Sequence, residues 1–159
     1  MRHMSQVENV EIIGDFETIS RTLWFPQMTK EESNVVFAAI FDFQDGGPES
    51  VIWRKYCASE EDVHSKAREQ EAKKQIKKPD VKYLGFGNAI VDDVRKIKNV
   101  NPNGYGFDIV HYPSEGIFHA HVFYDLPIGT QYSALTKSQK MDLRFNLGKL
   151  FQPLFLQSK

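Results

Sequence analysis

The chain has 159 residues, a formal net charge of -1 and an isoelectric point near 6.5. With 41% hydrophobic and 13% aromatic residues it holds enough apolar material for one packed domain and too much for a disordered tail. The near-neutral balance supplies no global field for nucleic acid or an anionic membrane, one cysteine makes neither an internal disulfide nor a zinc framework, and the apolar runs are too short to span a bilayer.

The opening text, MRHMSQVENVEIIGD, lacks the apolar stretch of a signal peptide, so a cytoplasmic protein with a reduced thiol is expected. Residues 1–14 read as a flexible N-terminal arm and residues 15–159 as a single domain. FETISRTLWF, Phe16–Phe25, is rich in Thr, Ile and aromatic residues and predicts a strand that Pro26 ends. VVFAAIFDF, Val35–Phe43, is almost wholly apolar and predicts a buried strand. QDGGPE supplies turn chemistry, and SVIWRKYC, Ser50–Cys57, reads as the strand returning from it, so the two form a hairpin.

SEEDVHSKAREQEAKKQIKKPD predicts a helix. Ser59 is a suitable N-cap, Glu60, Glu61 and Asp62 fall at the positive end of the helix dipole, and Lys73, Lys74, Lys77 and Lys78 fall at the negative end before Pro79. Its apolar stripe, Val63, Ala67, Ala72 and Ile76, is thin, so most of the helix is expected to be wet. A second helix is expected over 86–97, where Phe86, Ile90, Val94 and Ile97 share helical spacing. After a Pro- and Gly-containing loop comes FDIVHYPSEGIFHAHVFYD, Phe107–Asp125, a hairpin turning at PSEG with Gly116 at positive φ. TKSQ, Thr136–Gln139, has the capping-box form and predicts a helix from Lys137 to about Phe151 that buries Met141, Phe145 and Leu150. Strands in runs separated from helices indicate an α+β fold: a single domain with a mostly antiparallel sheet of about five strands and about three helices packed on one face.

The hairpin carries three of the five histidines and is the first candidate site. A three-residue loop sets His111 opposite His119 and Ile109 opposite His121. One face would then hold Ile109, His111, His119, His121, Phe123 and Asp125, and the other Val110, Tyr112, Phe118, Ala120, Val122 and Tyr124. This gives a candidate binding face of His111, His119, His121, Phe123 and Asp125. Its alternative reading is a zinc site of His111, His119 and His121 in a metal-dependent hydrolase, with Asp125 as a carboxylate partner. A register shift of one residue would separate His111 from the other two.

The other candidates carry weaker signals. Lys73, Lys74, Lys77, Lys78 and Lys82 suit phosphates, which makes nucleic-acid binding through a basic helix end a further alternative, but the run lacks interleaved aromatic residues. The glycines of GFG at 85–87 and GYG at 104–106 lack the context of a dinucleotide fingerprint, and no metal-protease or nucleophile-elbow motif occurs. Cys57 reads as an unreactive thiol at a strand end. The sequence therefore favours a binding or regulatory protein over an enzyme. It would act through a protein–protein surface, for example as an inhibitor or immunity-type partner or as a homo-oligomer, with no cofactor.

Overall fold

The computed structural model describes residues 10–29 and 35–156. Among the described residues six antiparallel strands form one sheet in the order β4-β5-β2-β1-β3-β6. They are β1 (Thr18–Phe25), β2 (Glu49–Trp53), β3 (Lys82–Ile90), β4 (Gly106–His111), β5 (His119–Asp125) and β6 (Leu154–Leu156). Two longer helices, α1 (Glu60–Lys77) and α4 (Lys137–Lys149), accompany two short ones, α2 (Val91–Arg95) and α3 (Ile97–Val100). The fold is α+β with an antiparallel sheet, as read from the sequence, and the sheet has six strands instead of about five. No helix among the described residues is long and apolar enough to cross a membrane.

Strand alternation sorts the sheet into two faces. Ile19, Leu23, Val51, Trp53, Phe107, Ile109, Ala120 and Val122 join Leu143 and Leu147 of α4 in the main core. The opposite face carries Ile52 and Phe86, which cluster with Val63 of α1, and Tyr83, which meets the His64 ring of α1. Thus α1 and α4 lie on opposite faces of the sheet and not on one face as expected, because β1, β2 and β3 carry apolar side chains on both faces.

The helix after Cys57 forms as its caps dictate. The Ser59 side chain accepts from the Asp62 N–H at 3.0 Å, and Lys78 is the C-cap just before Pro79. Only Val63, His64 and Ala67 are buried, while Ile76 is exposed, so the apolar stripe ends halfway along the helix. In α4 the Thr136–Gln139 capping box is present. Its buried stripe is Leu143 and Leu147, however, whereas Met141 and Phe145 are exposed and Leu150 is half-buried. Both sets have i,i+4 spacing, and the close approach of Gly148 to Phe37 selects the leucine set: a Cβ at Gly148 would lie 2.1 Å from the Phe37 carbonyl oxygen.

Two expected elements are different in kind. Val35–Phe43 is not a strand and forms no hairpin with β2. Val35 makes an isolated bridge to Thr29, Phe37–Ala39 is a 3-10 turn, and Phe43 adopts a left-handed conformation. Ile40, Phe41 and Phe43 are nevertheless wholly buried. Side chains replace the missing ladder: the Ile40 carbonyl accepts from Arg21 Nε at 3.0 Å, and the Asp42 and Phe43 amides donate to Glu49 Oε1. A continuous apolar run specifies burial, and once its polar backbone is satisfied in this way it needs no sheet.

The helix expected over 86–97 is instead β3 followed by α2 and α3. β3 pairs with β1 from Ile90–Thr18 to Lys82–Phe25, with an irregularity at Leu23/Trp24. Phe86 stacks on Phe155 at 5.1 Å, and Gly87 lets the Phe151 backbone approach so closely that a Cβ would lie 2.2 Å from its carbonyl oxygen. The glycines on either side of Phe86 serve close backbone approach in a strand. Only Val94 and Ile97 of the expected apolar face lie in helices and are buried.

Of the expected arm, residues 1–9 lie outside the described residues. Glu11 and Ile13 are anchored: the Glu11 amide donates to His111 Nδ1 at 3.0 Å, and Ile13 belongs to the core.

Candidate functional site

The β4–β5 hairpin forms, but its register differs by one residue from the expected one. His111 pairs with Ala120, Val110 with His121 and Ile109 with Val122. Two contacts fix this. The connection contains a 3-10 turn at Pro113–Glu115 followed by Gly116 at φ 137°, and the Phe118 carbonyl is drawn to β2, where it accepts from the Trp53 amide at 2.7 Å. β5 is also an interior strand, so Ala120 must meet Val51. The assignment of faces in β5 is therefore as expected, and that in β4 is inverted. Phe107, Ile109 and His111 enter the core, and Val110 and Tyr112 face outward.

His111 accordingly stands on the opposite face from His119 and His121. Its Nδ1 accepts from the Glu11 amide, so its Nε2 carries the hydrogen and donates to the Ile117 carbonyl at 2.7 Å. Its ring meets Trp53 edge-on at 4.9 Å. Both ring nitrogens serve the fold, tying the N-terminal segment and the hairpin loop to the core. The three-histidine zinc site is not assembled, and no group of three or more metal-ligating side chains occurs among the described residues.

His119, His121, Phe123 and Asp125 do share the face that α1 partly covers. The His119 ring lies against Phe118 at 4.4 Å and its Nδ1 is buried without a hydrogen-bond partner among the described residues. His121 stacks on Tyr112 at 3.9 Å. Burial pushes both imidazoles below their usual pKa against the opposing pull of Glu115, and His121 adds to the depression at His119. Asp125 pairs with Lys98 at 2.8 Å and is not free to orient a histidine. What this face offers is apolar surface. Val110, Tyr112 and Ile117 are 42%, 38% and 47% exposed beside the half-buried Phe118, His121 and Phe123. From α1 the Lys66 ammonium reaches within 5.1 Å of the Phe118 ring centroid.

Elsewhere, Cys57 is buried, and burial raises its thiol pKa, the opposite of what a nucleophile needs. His64 is occupied by the Tyr83 hydroxyl at 2.8 Å. The basic run gains from the fold what its own sequence lacks: Lys74 of α1 lies 5.0 Å from the Trp24 ring and Lys82 of β3 lies 6.0 Å from the Phe25 ring, both rings supplied by β1. Sequence reasoning missed this pairing, because β1 and α1 are far apart in the chain and only the fold brings them together. The text TLWF before Pro26 was the available signal. No protein-family model, curated protein or solved structure matches the chain.

Proposed function

We propose that this is a binding protein that docks a protein partner on the outward face of the β4–β5 hairpin. The observation that carries the reading is the exposure of Val110 and Tyr112 on the outward face of the hairpin, with Ile117 exposed in the loop beside them. An antiparallel sheet with one face in water ordinarily shows polar side chains there. Contiguous apolar and aromatic surface is the mark of a docking face, and tyrosine is enriched in such interfaces. The depressed imidazoles of His119 and His121 keep the face neutral near pH 7, which suits an apolar counterpart. The core position of His111 leaves the binding role to His119, His121 and Phe123.

The test places a photo-crosslinking residue at position 112 and, as a control, at the exposed Ser65 of α1. The protein captured from position 112 is then purified and its affinity measured for wild type and for Val110→Lys with Ile117→Lys. The reading expects a loss of at least about 100-fold with unchanged circular dichroism, as for truncation of interface anchors. A partner whose affinity survives both lysines, or labelling equal at positions 112 and 65, would overturn it.

A further inference from the structure

The sheet is open between β1 and β2. β1 keeps its ladder with β3 as far as Phe25, but its ladder with β2 ends at Ser20–Ile52. Beyond that point the strands part, and Arg21 spans the gap. Its Nη1 donates to the Ser50 carbonyl at 2.7 Å, its Nε donates to the Ile40 carbonyl, and Glu49 Oε1 lies 3.5 Å from Nη2. The C-terminal half of α1 borders the opening and forms one wall of an open cavity of about 430 Å³, to which it contributes Gln70, Lys73 and Lys74. A second cavity of about 500 Å³ shares Trp24, Gln27 and Lys74 with the first and continues along Phe25, Pro26, Lys77, Lys78 and Val81. The two share these three residues and form one cleft with a cationic chamber and a second in which Trp24, Phe25, Pro26 and Val81 are rimmed by lysines, each within the size range of small-molecule sites.

The charges of the first chamber are unbalanced. Glu49, its carboxylate, is already engaged by the Asp42 and Phe43 amides and by Arg21. Neither Lys73 nor Lys74 pairs with a carboxylate among the described residues. Burial lowers the Lys74 pKa, and Arg21 and Lys78 push it the same way. Two neighbouring ammonium groups in one chamber without a paired carboxylate favour an anion.

We propose that this cleft binds a nucleoside phosphate, with the phosphate between Lys73 and Lys74 and the base in the chamber of Phe25, Pro26 and Val81. A phosphate monoester carries close to two negative charges at neutral pH, matching the two ammoniums, while the charges of Arg21 and Glu49 offset each other. A flat ring suits the second chamber, where the aromatic side chain is the half-buried Phe25, with Lys82 6.0 Å from its ring. The same chemistry is presented by a free mononucleotide and by the terminal nucleotide of a single strand.

Trp24 lines both chambers, so its fluorescence reports binding, and Trp53, buried in the core, is a constant background. Adenosine monophosphate, adenosine, inorganic phosphate and a short single-stranded oligonucleotide are titrated at low salt. Saturable binding of the monophosphate is expected, with adenosine and phosphate each at least about tenfold weaker. Lys73→Gln with Lys74→Gln should weaken the monophosphate at least about tenfold, and Lys137→Gln on α4 should leave it unchanged. An oligonucleotide that binds more tightly than the monophosphate, with affinity falling steeply with salt, identifies the polymer as the source, and equal affinities identify the free nucleotide. Should the double variant fail to fold, Gln70→Glu sets a carboxylate at the rim and the same loss is expected. Monophosphate binding no tighter than phosphate alone, or unaffected by these variants when folded, overturns the proposal.

Discussion

Arg21→Met removes the guanidinium that holds β1 to β2 where their ladder stops. The methionine keeps the bulk of the side chain but leaves the Ile40 and Ser50 carbonyls without their donor and Glu49 without its cation. The cation–π contact with Phe41, at 4.8 Å, also goes. Removing one partner from a buried charged network costs about 3–5 kcal/mol. Glu49 retains two amide donors and its side chain is 21% exposed, which places the loss at the lower end, about 3 kcal/mol. For a chain of this length that lowers Tm by roughly 9 °C. Urea unfolding followed by circular dichroism, with calorimetry for Tm, measures the loss. Glu49→Gln alone and the double variant complete a cycle whose coupling should exceed about 0.5 kcal/mol. A loss below about 1 kcal/mol for Arg21→Met would refute the argument, because that is the scale of a generic substitution and not of a broken buried network.

Four further perturbations probe the rest of the fold. His111→Ala should cost about 1–3 kcal/mol in urea unfolding, since it leaves the Glu11 amide and the Ile117 carbonyl without partners. Gly148→Ala should cost about 1–3 kcal/mol in the same assay, because the added methyl meets the Phe37 backbone. Gly116→Val should cost about 1–3 kcal/mol in thermal melts, since φ 137° with ψ 144° is a region that only glycine enters readily. His119 and His121 have folded pKa values below the ordinary 6.5, so the unfolded chain binds more protons below that pH. Stability should be full above about pH 6.5 and fall as the pH drops through the depressed values, and His119→Gln with His121→Gln should flatten that part of the profile.

The parts of the fold written in local chemistry were legible. The Ser59 cap, the Thr136 capping box, the positive φ of Gly116 and the alternation of β5 all follow from neighbours a few residues apart. What failed depended on distant contacts. The apolar text of Val35–Phe43 is satisfied by Arg21 and Glu49 side chains, which no reading of that segment reveals. The glycines around Phe86 make a strand because the Phe151 and Phe155 backbones lie against them. In β4 both faces are apolar, Phe107 and Ile109 on one and Val110 and Tyr112 on the other, so alternation alone cannot choose between them. The choice comes from β5, which β2 holds in place. The same distance hid the cleft, whose lysines and aromatic rings come from different parts of the chain.

The strand order also governs the timing of assembly. β1, β2 and β3 lie within the first ninety residues, and β1 joins the other two directly. The remaining edge of β2 takes its partner from β5, which ends only at Asp125. On a ribosome adding roughly 5–20 residues each second, that edge waits several seconds with Val51 and Trp53 uncovered. Long-range antiparallel closure of this kind is slow because the loop must be ordered before its contacts form. Between the emergence of β2 and that of β5 the nascent chain therefore presents an unpaired strand edge, the kind of surface that aggregation uses and a chaperone can shield.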